Sequence, residues 1–251
     1  MVVVGLALVP ATRKPAPTPL ALTGDLATHD PALVAGGPGV PWYVFSTGGP
    51  QADGNIQIRR SIDGLKWEFL GEVWTKKPGW VGEVVPGVSN LWAPEIHKHD
   101  GTWYLYYAAS TFGSNRSVIA LTTNTTLDTA DPQYRWVDRG VVVASTAADD
   151  FNAIDPGIGE DSRGPWMAFG SFWSGIRMVQ LEWPSGLRAD PTSQPIRIAD
   201  RGAAPNAIEA PFIVEREGWF YLFVSFDLCC RGLDSTYNIA AGRSPRGTGP
   251  Y

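Results

Sequence analysis

The chain has 251 residues, a net charge of −5, and 44% hydrophobic and 18% charged residues. This balance is typical of a soluble globular protein, and because no basic block could neutralise phosphates, we expect no nucleic-acid partner. The length suits one large domain. The 28 Gly, 21 Pro and 11 Trp favour short strands, tight turns and aromatic surfaces over a helical bundle.

The chain opens with an apolar run followed by small residues, in MVVVGLALVPA. This run resembles a secretory signal peptide, although no Lys or Arg precedes it, and it is too short to cross a bilayer, so we expect no membrane partner. The proline-rich stretch RKPAPTPLALTG follows and predicts an extended lead-in. We expect residues 1–23 to be a flexible or signal-like segment, residues 24–251 to form the folded domain, and the protein to be extracellular.

Four similar steps divide the rest of the chain, each centred on a proline: HDPALV, WAPEIH, IDPGIG and EAPFIV. These marker prolines are separated by 63, 62 and 55 residues. From 8 to 11 residues after each one, a strand-like run opens with tryptophan: WYVFS, WYLYYAAS, WMAFGS and WFYLFVS. Turn sequences such as DGTW and REGW introduce these runs and predict β-hairpins. Repeated units of about 40 to 60 residues, each a small antiparallel sheet, are typical of a β-propeller. The chain is therefore predicted to be all-β, with about four blades.

Acidic residues recur at one position of this repeat. Asp30 and Asp155 immediately precede marker prolines, and Glu209 lies one step before the equivalent position of the fourth unit. Equivalent positions of successive blades surround the channel of a propeller, so the three carboxyls should converge. A single Asp-Pro step is more often a solvated turn, but three acids at one phase predict a functional site with perturbed pKa values. Glu95 is out of this phase, and we expect it to hydrogen-bond within its own blade.

Few other residues could carry chemistry. Cys229 and Cys230 are adjacent, and the sequence is compatible both with a bond between them and with two reduced thiols. His97 and His99 have no third partner at a metal-ligand spacing. No zinc, phosphate-loop or dinucleotide motif occurs in the sequence. We therefore expect no metal or cofactor to be required for the chemistry.

Several strings together resemble glycoside hydrolase family 43, and within it the endo-1,5-α-L-arabinanases: HDPAL, LWAPEI, FNAIDPGI, GSFWSGI, AIEAPFI, and FDLCCRG followed by STYNIAAGRS. The resemblance implies a five-bladed β-propeller and a glycosidase that hydrolyses the α-1,5-linked backbone of arabinan, with an oligosaccharide or polysaccharide as its partner. It also implies that Asp30 is the general base, Glu209 the general acid, and Asp155 the residue that tunes and orients the acid. Because the family inverts the anomeric centre, the carboxyls of Asp30 and Glu209 should lie about 6.5 to 9.5 Å apart.

Sugar recognition needs flat aromatic faces and neutral hydrogen-bonding groups. His29 and Trp92 are candidates because each precedes a marker proline by two residues. Phe112 and Trp173 lie just past the tryptophan-led runs, where plain packing is the alternative. Asn152 and Ser171 resemble family positions near the scissile sugar.

The C-terminal region departs from the resembled family. At the mean spacing of 60 residues a fifth unit would begin near residue 271, beyond Tyr251, so we expect the last blade to be missing from this chain. In arabinanases that part also carries a histidine associated with a metal ion, often calcium, in the central channel. Calcium is therefore expected there, with its ligand absent from this chain. Two alternatives stay open: an exo-acting β-xylosidase or α-L-arabinofuranosidase of the same family, and a non-catalytic carbohydrate-binding propeller fragment.

Overall fold

The computed structural model describes residues 19–251, so most of the predicted signal-like segment lies outside the described residues. In this part the chain forms sixteen β-strands, one short α-helix, α1 (Trp80–Val84), and two 3-10 helices (Pro50–Ala52 and Gly232–Asp234). Across residues 19–251 the structure contains no helix long and apolar enough to cross a membrane.

The strands form four sheets that follow one another along the chain. Sheet 1 has the order β1-β5-β4-β3-β2 and contains β1 (Thr23–Gly24), β2 (Ala32–Val34), β3 (Trp42–Ser46), β4 (Gln57–Ser61) and β5 (Lys66–Glu72). Sheet 2 contains β6 (Leu91–His99), β7 (Thr102–Ala109), β8 (Ser117–Asn124) and β9 (Val137–Ser145). Sheet 3 contains β10 (Gly157–Asp161), β11 (Gly164–Phe169), β12 (Ile176–Gln180) and β13 (Ile196–Ala199). Sheet 4 contains β14 (Ile208–Arg216), β15 (Trp219–Phe226) and β16 (Asn238–Ser244).

The predicted hairpins have the expected turn chemistry. Asp100 and Gly101 join β6 to β7, and both have positive φ, 42° and 78°. Glu217 and Gly218 join β14 to β15 in the same way, with φ of 54° and 76°. A two-residue turn with two left-handed residues matches the twist of paired strands, which explains the glycine in DGTW and REGW. Within the sheets all pairings are antiparallel, except that β1 pairs parallel with β5.

The hydrophobic core lies between neighbouring sheets. The strands at the marker prolines contact one another in sequence, β2 with β6, β6 with β10 and β10 with β14. Side chains of β7 alternate between two core layers: Leu105 and Tyr107 pack towards sheet 1, whereas Tyr104 and Tyr106 pack towards sheet 3. A third layer fills the space between sheets 3 and 4. Period-two alternation in a strand that is buried on both faces is what a middle blade requires. The prediction of an all-β chain with a four-blade propeller arrangement is confirmed.

The residues before the four marker prolines share one backbone conformation. Asp30, Ala93, Asp155 and Ala210 have φ of 49°, 42°, 57° and 54°, a left-handed region that non-glycine residues rarely enter. In β6 and β14 the strand register shifts across this step, which is a β-bulge. In sheets 1 and 3 the strands β2 and β10 begin after this step. The repeat read from the prolines is therefore a repeat of backbone geometry, and it places equivalent residues at equivalent points of each blade.

The two end sheets each expose apolar side chains. In sheet 1, Leu33 is exposed, and it borders a groove that Leu26 and Leu65 also line. In sheet 4, Phe212 and Ile239 are exposed. Sheets 2 and 3, which have a neighbour on both faces, bury most of the apolar residues of their strands.

Candidate active site

The three predicted acids come from three different sheets. Asp30 and Asp155 lie in the turns that lead into β2 and β10, and Glu209 lies in β14. The structure brings their carboxyls close enough to influence one another. Burial raises the pKa of Asp155 well above its usual value, and the negative charges of Glu209 and Asp30 raise it further. The buried Asp155 therefore lies within electrostatic reach of both other acids.

The carboxyl of Asp30 is held by Thr47, which follows β3. Thr47 Oγ1 donates to Asp30 Oδ2 at 2.6 Å and accepts from the backbone N–H of Ala93 at 2.8 Å. His29 Nε2 lies 3.4 Å from the other carboxyl oxygen, Oδ1, so His29 stands beside the acids. Asp30 itself is exposed, and a water molecule can reach it.

Both oxygens of Glu209 accept hydrogen bonds from hydroxyl groups. Ser171 Oγ donates to Oε2 at 2.5 Å, and the Tyr237 hydroxyl donates to Oε1 at 2.6 Å. The backbone of Ser171 also pairs with that of Glu209 in an antiparallel bridge between sheets 3 and 4. The carboxyl is therefore fixed in one orientation by two different loops. Ser171 was predicted as a sugar contact, and the structure places its buried hydroxyl on Glu209.

Sequence reasoning missed Thr47 and Tyr237, for different reasons. Thr47, Ser110 and Ser171 follow their marker prolines by 16, 16 and 15 residues, so a hydroxyl residue recurs at one phase of the repeat. That signal could have identified Thr47. Tyr237 lies in the loop between β15 and β16, and no repeated sequence pattern distinguishes it. Its contact with Glu209 arises only when the fold brings this loop against β14.

Three predicted aromatic contacts differ in exposure. Phe112, in the loop after β7, is 88% exposed. Trp173 is also exposed, two residues after Ser171. Trp92 is half-buried and directly precedes Ala93, whose backbone N–H binds Thr47. Trp92 and Trp173 therefore present aromatic surface close in the chain to residues that hold the acids, and a sugar ring can stack on such a surface.

The loop that carries Trp173 is strained and firmly held. Phe172 and Trp173 have φ of 55° and 40°, and such residues persist only where their surroundings fix them. The backbone N–H of Phe172 donates to Ile208 O at 3.0 Å, and Asn206 Nδ2 donates to Trp173 O at 2.7 Å. These bonds tie the loop to sheet 4, next to Glu209. Strained residues of this kind cluster at functional sites.

Asn152 occupies an interior position. It is 4% exposed, and its Oδ1 accepts a hydrogen bond from Ser117 Oγ at 2.7 Å. Little of its surface is open to a sugar, so the predicted substrate contact at Asn152 stays a prediction.

We predicted that Glu95 bonds within its own blade, and this prediction is wrong. Its carboxylate accepts from the backbone N–H of Ile158 in sheet 3, and burial raises its pKa to about 8. The reason is the close contact between β6 and β10, the first strands of their sheets. Glu95 therefore links two blades.

The described residues do not fit the channel metal that the resemblance implied. Among residues 19–251 no three His, Cys, Asp or Glu side chains are grouped so that they could hold a metal ion. His29 lies beside Asp30, and His97 and His99 stack on Trp183. Calcium in the channel therefore stays a prediction.

The two adjacent cysteines form a disulfide bond, Cys229–Cys230. The bond lies in the loop between β15 and β16, the loop that also carries Tyr237. Of the two states that the sequence allowed, the structure shows the bonded one.

Blades in a propeller arrangement and three carboxyls brought together from three of them are the features expected of a β-propeller glycosidase. The family model for glycosyl hydrolases family 43 matches residues 23–251. The chain belongs to this family.

Two relatives and one solved structure are similar to nearly the whole chain. The extracellular endo-α-(1→5)-L-arabinanase 1 of Bacillus subtilis (strain 168) is 40% identical, over 89% of this chain and 67% of the relative. The extracellular exo-α-(1→5)-L-arabinofuranosidase ArbA of Cellvibrio japonicus (strain Ueda107) is 41% identical, over 89% of this chain and 65% of the relative. The structure of Cellvibrio cellulosa α-L-arabinanase complexed with arabinohexaose is 41% identical, with a TM-score of 0.80, over 89% of this chain and 72% of that chain. The chain thus spans about two thirds of the length of these two relatives.

Proposed function

We propose that the protein is an inverting glycosidase that cleaves the α-1,5-linked backbone of arabinan internally. One observation carries the proposal: carboxyls from three blades converge, so that Asp155 is buried and its pKa is raised by that burial and then by the charges of Glu209 and Asp30. The endo-acting relative from Bacillus subtilis and the arabinohexaose complex support the substrate class.

In this proposal Glu209 is the general acid. Hydrolysis of a glycosidic bond needs a carboxylic acid that protonates the leaving oxygen as the bond to the anomeric carbon breaks. The Ser171 and Tyr237 hydroxyls hold the carboxyl of Glu209 in one orientation, and such alignment is what proton transfer requires. After the transfer Glu209 is a carboxylate, and both hydroxyls can stabilise its charge.

Asp30 is the general base on the opposite face of the sugar. Its exposed carboxylate can accept a proton from the water that attacks the anomeric carbon. Thr47 fixes one of its oxygens and leaves the other free for that water or for His29. Inversion requires room for the water, so we propose that the two carboxyls lie about 6.5 to 9.5 Å apart.

Asp155 is the third carboxyl of the cluster. Burial raises the pKa of Asp155, and the negative charges of Glu209 and Asp30 raise it further, because like charges that lie close together resist simultaneous ionisation. A cluster that retains a proton keeps an acid available for the leaving group near neutral pH. Trp92, Phe112 and Trp173 provide the aromatic surface for the sugar chain in this proposal.

Product analysis on linear α-1,5-L-arabinan tests the proposal. The wild-type chain should release short arabino-oligosaccharides, and Glu209→Ala should release none. Glu215→Ala is the matched control, because Glu215 lies in the same strand and is exposed. A wild-type chain that binds arabinan without cleaving it, as tightly as Glu209→Ala does, would instead identify a non-catalytic carbohydrate-binding propeller.

An exo-acting enzyme is the second candidate, because a relative that is 41% identical is an exo-α-(1→5)-L-arabinofuranosidase. The same digest separates the two. Endo action gives a mixture of oligosaccharide lengths from the first minutes, whereas exo action releases one small product from the chain ends while the polymer stays long. A β-xylosidase would leave arabinan intact and cleave xylo-oligosaccharides.

We also propose that the propeller is of the five-bladed type and that residues 24–251 belong to its catalytic domain. The exposed apolar faces of sheets 1 and 4, with Leu33 and Phe212 among them, support a further sheet between them, since blades bury such faces. Adding a peptide or domain that supplies this sheet should lower the binding of a hydrophobic dye. Unchanged dye binding would argue against it.

An extracellular location completes the proposal. Both relatives described above are extracellular proteins. N-terminal sequencing of the protein from the culture medium of its host would test the location and the cleavage of the signal-like segment together.

A further inference from the structure

Tyr237 is the neighbour of Glu209 that sequence reasoning did not single out. Its hydroxyl donates to Glu209 Oε1 at 2.6 Å, opposite the Ser171 hydroxyl on Oε2. We propose that Tyr237 is a positioning residue for the general acid: it fixes the carboxyl of Glu209 and stabilises the carboxylate left when the proton departs. This inference rests on the proposed role of Glu209 as general acid.

The Tyr237 hydroxyl stays a donor throughout the reaction. Partial burial raises the pKa of the Tyr237 hydroxyl, and the charge of Glu209 raises it further. The phenol therefore keeps its proton at any pH at which the enzyme works. A neutral, protonated phenol beside a carboxylate forms a short charge-assisted hydrogen bond, which is roughly twice as strong as a neutral one.

The base of its loop holds Tyr237 in place, although the residue is 41% exposed. The backbone N–H of Thr236 donates to Leu228 O at 3.0 Å, and the backbone N–H of Leu228 donates to Thr236 Oγ1 at 3.2 Å. Asn238 Nδ2 donates to Asp227 Oδ2 at 2.8 Å. These bonds close the loop on both sides of Tyr237, so the ring is fixed without deep packing.

The loop is also tied to the segment that joins sheet 3 to sheet 4. Arg201 Nη2 donates to Asp227 Oδ1 at 2.7 Å, and the Arg201 guanidinium lies 4.2 Å from the ring centroid of Phe226. The Cys229–Cys230 bond restricts the tip of the same loop. A hydroxyl presented in this way loses little freedom when it binds Glu209, which favours positioning over a passing contact.

The contribution of Tyr237 should appear in one bond-breaking step. As the proton moves from Glu209 to the glycosidic oxygen, the bond from that oxygen to the anomeric carbon breaks, and water attacks while Asp30 takes its proton. Negative charge develops on Glu209 during this step, so the hydrogen bond from Tyr237 strengthens in the transition state. Only interactions of that kind raise kcat.

Leaving-group dependence tests the inference. Arabinotetraose has a sugar alkoxide as its leaving group and needs the acid, whereas 4-nitrophenyl α-1,5-L-arabinotrioside has an activated phenolate and needs it little. Tyr237→Phe should lower kcat on arabinotetraose by about 10- to 100-fold, the cost of a misplaced catalytic group. KM and Tm should not change, and kcat on the nitrophenyl substrate should stay within threefold. Tyr221→Phe, in β15 of the same sheet, is the control and should match the wild type on both substrates.

Ser171→Ala provides a second measurement, because it removes the hydroxyl from the other oxygen of Glu209 and should show the same leaving-group dependence. Equal losses of Tyr237→Phe on both substrates would overturn the inference and make Tyr237 a structural or sugar-binding residue. Full activity of Tyr237→Phe on arabinotetraose would overturn it as well. If Glu209→Ala fails to show an acid-specific loss, or the wild type cleaves neither substrate, the proposed function itself fails, and the inference falls with it.

Discussion

Replacing Thr47 by valine should damage the site while leaving the shape of the side chain unchanged. The hydroxyl makes two bonds, one to Asp30 Oδ2 at 2.6 Å and one from the N–H of Ala93 at 2.8 Å. A hydrogen bond to a charged group contributes about 1.5 to 3 kcal/mol. Because about 1.4 kcal/mol corresponds to a factor of ten, Thr47→Val should lower kcat/KM on linear arabinan by about 10- to 100-fold.

The same change should also reduce stability, because the N–H of Ala93 loses its acceptor. An unsatisfied polar group that is shielded from water costs about 1 to 3 kcal/mol, which urea unfolding can measure. Thr47→Ser keeps the hydroxyl and is the control, expected within about threefold of the wild type. If Thr47→Val retains at least half of the wild-type kcat/KM, Thr47 does not position Asp30 and the reasoning is refuted.

Three further predictions concern the acid cluster, the aromatic surface and the disulfide. Asp155→Asn should lower activity by at least 100-fold but raise Tm at pH 7, by about 2 to 4 °C for each kcal/mol. The raised pKa of Asp155 favours folding below about pH 4 and loses that effect as pH rises through the folded-state value. Phe112→Ala should raise KM about 2- to 10-fold, the worth of one aromatic contact, with Tm unchanged, because the side chain is 88% exposed. Iodoacetamide should modify neither Cys229 nor Cys230 until dithiothreitol reduces their bond.

Each of these has a contrary result. A Tm advantage of Asp155→Asn that persists at pH 3.5 would mean that the charge of Asp155 is not its source. An unchanged KM in Phe112→Ala would remove Phe112 from the sugar path. Two alkylated cysteines by mass spectrometry without reductant would show that the bond is absent in solution.

The sequence predicts the blades well because their signals are local. A turn and the tryptophan that opens the next run follow each marker proline within 8 to 11 residues. The same pattern occurs four times, so each unit supports the prediction made from the others. The same phase led to Asp30, Asp155 and Glu209, which the structure brings together. The left-handed conformation of the residue before each proline gives the repeat its physical basis.

The contacts between blades could not be predicted in the same way. Glu95 was expected to bond within its own blade, but it reaches Ile158 of the next sheet, because the partner of a buried carboxyl depends on how closely two sheets approach. Tyr237 and Glu209 are 28 residues apart, and their contact depends on the shape of one loop. Asn152 matched a family motif, yet only the structure shows that its side chain is nearly inaccessible.

The stereochemistry of hydrolysis tests the central claim most directly. Proton NMR during the first minutes of arabinotetraose cleavage reports which anomer forms before mutarotation mixes the two. An inverting enzyme, in which Asp30 activates water and Glu209 protonates the leaving oxygen, must release the β-anomer from an α-linked substrate. Initial release of the α-anomer would mean that a carboxylate attacks the sugar directly, which contradicts the roles proposed for Asp30 and Glu209.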